Sequence, residues 1–280
     1  EDVRSSNRII QTYDFVTNGH QVYTFDDHGT RVFSTIGAKM IQVEGKDTTL
    51  ILGTAPAADF ALFVTEDVKS EYRIEEYNWL FGAEKADSLG ADIIHTSVGY
   101  NVFSDSQMNY TKAQMDGKTA IITQAANLAA DKGIFVVASV GNEGSNSWKK
   151  ATAPADSPKV LSVGAVDNSG KLANFSSIGP TADGRIKPDV VALGVFATVG
   201  AESGSLITAN GTSYSAPMVA GFVAGLIQAE PEKTREELFN DILNSGSRST
   251  KPDTLFGYGI PDFIKATGGK ILSVDDVIND

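Results

Sequence analysis

What most constrains the fold of this 280-residue chain is an alternation of short Val/Ile-rich runs with longer helical patterns. Ile93–Ser97, Ile134–Ser139, Val160–Ala165 and Val190–Ala192 are short and apolar, as strands buried on both faces must be. Gly29–Ala38, Ile74–Leu89, Thr119–Lys132, Ser213–Gln228 and Arg235–Leu243 carry helical patterns. In the third, Ile121, Ala125, Leu128 and Ala129 fall on one side near helical spacing. The last follows Pro231 and a run of acids, a good helix start. Strands alternating with helices predict a three-layer, doubly wound α/β fold, a mostly parallel sheet with helices on both faces. Gly or Asn follows several of the strands, where the backbone must bend at the sheet's carboxyl edge. Sites in open α/β sheets gather at that edge.

Composition narrows the class. With 41% hydrophobic and 21% charged residues, the chain suits one large domain, 1–280, with an acidic peripheral tail at 270–280. A net charge of −12 argues against nucleic acid as a partner, because phosphates would be repelled. The apolar runs are too short and too interrupted by glycine to span a membrane. No signal-peptide pattern is expected at the start. Cysteine is absent, so neither disulfides nor thiol chemistry enter. Two stretches read as surface loops, the polar Tyr100–Lys118 and Gly144–Pro158 with Trp148 and two prolines.

Three polar segments would reach the carboxyl edge. One is Asn210-Gly211-Thr212-Ser213-Tyr214-Ser215-Ala216-Pro217, a glycine turn running into an apolar helix. It places the Ser213 hydroxyl over the positive end of that helix, where a serine can either cap the helix or be presented to a ligand. The others are Asp26-Asp27-His28-Gly29-Thr30-Arg31-Val32 and Ala138-Ser139-Val140-Gly141-Asn142-Glu143-Gly144. His28 alone would be an N-cap or a surface residue, and Asn142 alone a turn residue after a strand.

Together, in this chain order, the three segments resemble the subtilisin-like serine proteases. Gly53-Thr54-Ala55-Pro56, Asp92–Gly99, Val163-Gly164-Ala165-Val166, Lys187-Pro188-Asp189-Val190 and Gly257-Tyr258-Gly259-Ile260-Pro261 extend the resemblance over roughly residues 9–266. It implies a secreted, periplasmic or cell-surface serine endopeptidase of bacterial type acting on peptides or proteins. Ser213 would be the nucleophile and His28 the general base. The Asn142 amide and the Ser213 N–H would donate to the oxyanion. Ser97-Val98-Gly99 would pair with substrate, and Ser139-Val140-Gly141 would form the opposite wall of the primary pocket. Thr152 would lie at the base of that pocket and make it shallow. His20, in a turn, and His95, in an apolar strand, would be structural.

The family carries its third catalytic group, an aspartate, on a strand before the histidine. Glu1, Asp2, Asp14, Asp26 and Asp27 precede His28, and none stands in the family's Asp-Ser/Ala-Gly context. The expectation is therefore a chain without that strand and its aspartate. A separate N-terminal segment, cut at the polar opening Glu1–Arg8 and still bound, would supply both. The alternative is a catalytically inactive peptide-binding or regulatory domain. No cofactor is implied. Asp105, Asn109 and Asp116 are hard oxygen donors suitable in kind for a structural calcium, or members of a solvated loop.

Overall fold

The structure, a computed structural model, describes residues 8–24, 26–44 and 47–270. The expected tail and the polar opening lie outside the described residues, apart from Arg8 and Lys270. In chain order the strands are β1 (Ile9–Asp14), β2 (Lys39–Glu44), β3 (Asp47–Leu52), β4 (Phe60–Val64), β5 (Ile93–Thr96), β6 (Phe135–Ser139), β7 (Leu161–Val166), β8 (Val190–Leu193), β9 (Ala197–Gly200) and β10 (Leu206–Ala209). The helices are α1 (His28–Gly37), α2 (Ile74–Ser88), α3 (Ile121–Asp131), α4 (Thr212–Ala229), α5 (Arg235–Ser245) and α6 (Phe263–Ala266).

The expected three layers are present. β5-β6-β7-β8 form a four-stranded sheet, parallel at every pair, in sequence order. Successive side chains of a strand point to opposite faces, and β6 uses both. Val136 and Ala138 join Trp79 and Ala83 of α2 and Ile122, Ala125 and Ala126 of α3. Phe135 and Val137 join Ala216, Val219 and Val223 of α4 and Leu238 and Ile242 of α5. Burial on both sides explains why these strands read as unbroken apolar runs.

Two expectations are corrected. The buried face of α3 is Ile122, Ala125, Ala126 and Ala129, while Leu128 is 60% exposed. Its small residues let α3 lie close to α2 and β6, and the bulkier Leu128 is left outside. Neither segment 100–118 nor 144–158 is a plain surface loop, and in the second residues 151–157 are all buried. Tyr100, Phe103, Tyr110 and Met115 are buried, the three rings in mutual contact, with Arg73 above Phe103 and Tyr110. Spaced irregularly among polar residues, these anchors carry no strand or helix period.

β1 and β4 form a second, two-stranded parallel sheet that does not pair with the first. One turn of α2 holds the ends of both sheets. The Asn78 amide donates to Thr65 O, just past β4, at 3.1 Å, and the Trp79 indole donates to Thr96 Oγ1, in β5, at 3.1 Å. Burial differs between the two sheets. Every residue of β6 and β7 is buried, whereas all five of β4 and Ile93–His95 of β5 are half-exposed.

Candidate active site

The loop that carries Ser213 is built by a hairpin and a helix start. β9 and β10 pair antiparallel, and the chain turns at Gly211, with φ 155° and ψ 151°, a conformation essentially confined to glycine. Ser213 is the second residue of α4, so its N–H has no intrahelical acceptor. Pro217 lies four residues further on and has no N–H to give to the Ser213 carbonyl. That carbonyl accepts instead from Ser97 Oγ at 2.9 Å, and Ser213 Oγ donates to Ser97 O at 3.5 Å. The spacing Ser-x-x-x-Pro thus turns the Ser213 backbone toward the end of β5.

Asn142 follows β6 and Gly141, whose φ is +105°. Its Oδ1 accepts from Thr212 N at 2.9 Å and from Thr212 Oγ1 at 3.0 Å. The acceptor end of the amide is fully engaged beside Ser213, which leaves the Nδ2 donors facing outward on an exposed residue.

His28 opens α1, and its ring centroid is 6.0 Å from that of Tyr214, next to the nucleophile. Burial lowers its pKa below the usual histidine value. Asp26 and Asp27 oppose the shift and Arg31 adds to it. The imidazole is therefore held neutral near pH 7, the form that accepts a proton. The carboxylates that precede His28 among the described residues are engaged elsewhere. Asp26 accepts from the His28 backbone N–H at 2.7 Å, and Asp27 pairs with Arg31 one turn into α1. Asp14, fully buried, accepts from Val16 N at 2.8 Å and Thr17 N at 3.1 Å. Among the described residues no carboxylate hydrogen-bonds to the His28 ring.

The two expected pocket walls meet at Thr152. A Cβ added to Gly99 would come within 2.3 Å of Thr152 Oγ1, and one added to Gly141 within 2.9 Å. Thr152 N donates to Val140 O at 3.1 Å. The Thr152 side chain is 2% exposed, and its Oγ1 has no partner. Val98 and Gly99 also border a cleft lined by Glu66, Glu71 and Ser104.

The oxygen donors named for calcium are each occupied by their own loop. Asp105 caps a short turn at Gln107 N, Asn109 accepts from Phe103 N, and Asp116 accepts from Lys118 N and Thr119 N. The carboxylates that do converge are Glu66, Glu71 and Glu75, with oxygens within 4.8 Å of one another. Burial raises all three pKa values, and neighbouring acids add to the shift in Glu71 and Glu75, which reach about 7. Tyr100 donates to both Glu66 oxygens at 2.6 and 2.7 Å. Acids around a helix start read as a solvated face, so this convergence carries no mark in the sequence.

Comparison with known proteins settles the family. The subtilase family profile matches residues 1–259. The chain belongs to the subtilase family. Subtilisin NAT of Bacillus subtilis subsp. natto is 32% identical over 83% of this chain, and the match covers 54% of that relative. Subtilisin DY of Bacillus licheniformis is 30% identical over 90% of this chain and 81% of its own length. The chain thus spans about half the length of several curated relatives it matches. Among solved structures, MycP1 from Mycobacterium smegmatis shares the fold with a TM-score of 0.71 and 22% identity, over 92% of this chain and 74% of that one. The self-cleaved protease domain of PatA matches with a TM-score of 0.66 and 25% identity, over 87% of this chain and 84% of that one.

Proposed function

We propose that this chain is the larger part of a secreted or cell-surface serine endopeptidase domain. Ser213 Oγ attacks the scissile carbonyl carbon while His28 takes the hydroxyl proton. The tetrahedral oxyanion is met by Ser213 N–H and Asn142 Nδ2. His28 then returns the proton to the leaving amine, and water repeats the sequence to release the acyl group. The observation that carries this reading is the Thr212 clamp on Asn142 Oδ1, which leaves the amide's donors free beside the nucleophile.

The substrate backbone lies along Ser97-Val98-Gly99, with its first side chain between that edge and Ser139-Val140-Gly141. Thr152 shortens this pocket, so the residue before the scissile bond is small. The third catalytic group comes on a strand that fills the gap between β4 and β5, parallel to both. A cleaved N-terminal segment of the same protein is the simplest donor of that strand. The strand's carboxyl end would place a carboxylate at the His28 ring. Half-exposed apolar residues on both facing strands support this assignment.

A peptide-binding domain without catalysis is the second reading, favoured by the absence of a carboxylate at the His28 ring among the described residues. Peptide hydrolysis separates the two. The protease reading expects turnover that Ser213→Ala removes and that drops by about 10⁴-fold if the segment carrying the carboxylate is missing. Peptide binding with no turnover, even after that segment is restored, supports the second.

A further inference from the structure

We infer that His95 is a positioning residue of this site, holding the nucleophile's backbone in place through Ser97. The inference rests on the protease reading for its catalytic consequence, but the wiring itself stands on hydrogen-bond logic. His95 Nε2 lies 2.9 Å from Ser97 Oγ. Ser97 Oγ lies 2.9 Å from the Ser213 carbonyl oxygen, which can only accept. The single Ser97 proton is therefore spent on Ser213. Ser97 must accept from His95, so Nε2 carries the hydrogen. A relay runs from His95 Nε2–H to Ser97 Oγ–H to Ser213 C=O, ending on the one carbonyl of α4 that Pro217 leaves without a helical donor.

The other nitrogen, Nδ1, is sealed from solvent and has no partner. Burial first, and then the nearby His28, hold the His95 pKa down at about 3, so the ring is neutral. A neutral ring with hydrogen on Nε2 leaves a bare lone pair on Nδ1. Ser97 sets this tautomer against the Val137 carbonyl of β6, which also bears on the ring and favours its protonated form. No other titratable group bears on the ring apart from His28 of α1, and from β6 the facing group is the Val137 carbonyl.

A protein with ¹⁵N-labelled histidine tests the wiring without reference to activity. The expected spectrum shows His95 as the Nε2–H tautomer, unchanged from about pH 4 to 8, and Ser97→Ala shifts its Nε2–H signal. A His95 that titrates near 6.5, or that carries its proton on Nδ1, overturns the inference. Kinetics test the role. His95→Leu should lower kcat about 10- to 100-fold with KM nearly unchanged. His95→Gln, which can still donate, should recover part of it. His95→Leu combined with Ser97→Ala should cost no more than either alone. Wild-type kcat in a folded His95→Leu overturns the positioning role while leaving the protease reading intact. A wild type with the relay in its spectrum but no reaction at Ser213 sinks the protease reading and leaves the wiring standing.

Discussion

On the protease reading Thr152 limits what can be offered to Ser213, because both proposed pocket walls close on its side chain. Thr152→Gly should open the pocket and raise kcat/KM for a large apolar residue before the scissile bond by about 10- to 100-fold relative to alanine. A matched series of peptides differing only at that residue measures it. An unchanged preference would place the pocket elsewhere. Asn142→Ala should lower kcat by about 10²–10³-fold at nearly constant KM, a magnitude known from a subtilisin. Steady-state kinetics on one good substrate checks it, and a loss confined to KM would contradict the oxyanion role. Ser213, His28 and Asn142 were singled out from the sequence because each stands at an element boundary in a distinctive local pattern. His95 was not, since an imidazole inside an apolar strand carries no sequence mark of the serine it holds. The signal that could have found it is Pro217 at four residues from Ser213, which demands an outside donor for one carbonyl.

Among elements, the link from β4 to α2 and the first turn of α2 carry two carboxylates that make stability depend on pH. Glu71 and Glu75 titrate near 7 in the fold, above their ordinary value of 4.5. The folded state then binds more protons than the unfolded state between those values, so stability falls as pH rises from about 4.5 to 7. The midpoint of thermal unfolding should drop by a few degrees over that window and level off above it, and Glu71→Gln should flatten the slope. A midpoint that rises across the window would contradict the burial of these acids. The central helices and strands β5 to β8 were legible, because burial on both faces writes unbroken apolar runs. β1, β4 and the hairpins β2–β3 and β9–β10 were not marked out as strands. β1 mixes Gln11, Thr12 and Tyr13 into its run, and β4 is half-exposed throughout. The exposure of Leu128 shows a second limit, since a period gives a face only within one residue step.

At the scale of the whole molecule, two separate parallel sheets are both anchored on α2, and the protease reading puts a further strand in a slot between them. Slot-facing amides of β4 and β5 should exchange rapidly with solvent while the slot is open, and slow down once a strand fills it. Hydrogen exchange read residue by residue checks this, and uniform protection of β4 with no added segment would contradict it. Filling the slot also brings a carboxylate to a histidine whose pKa burial now holds low, so the acid limb of kcat/KM should move upward on filling. The most direct test of the account is the reaction of Ser213 with a fluorophosphonate probe, followed by mass mapping of the labelled peptide. The account expects one adduct, on Ser213, made faster when the slot is filled, slowed in His28→Ala and absent in Ser213→Ala. A folded protein with its slot filled that leaves Ser213 unlabelled, or carries the adduct on another residue, would contradict it.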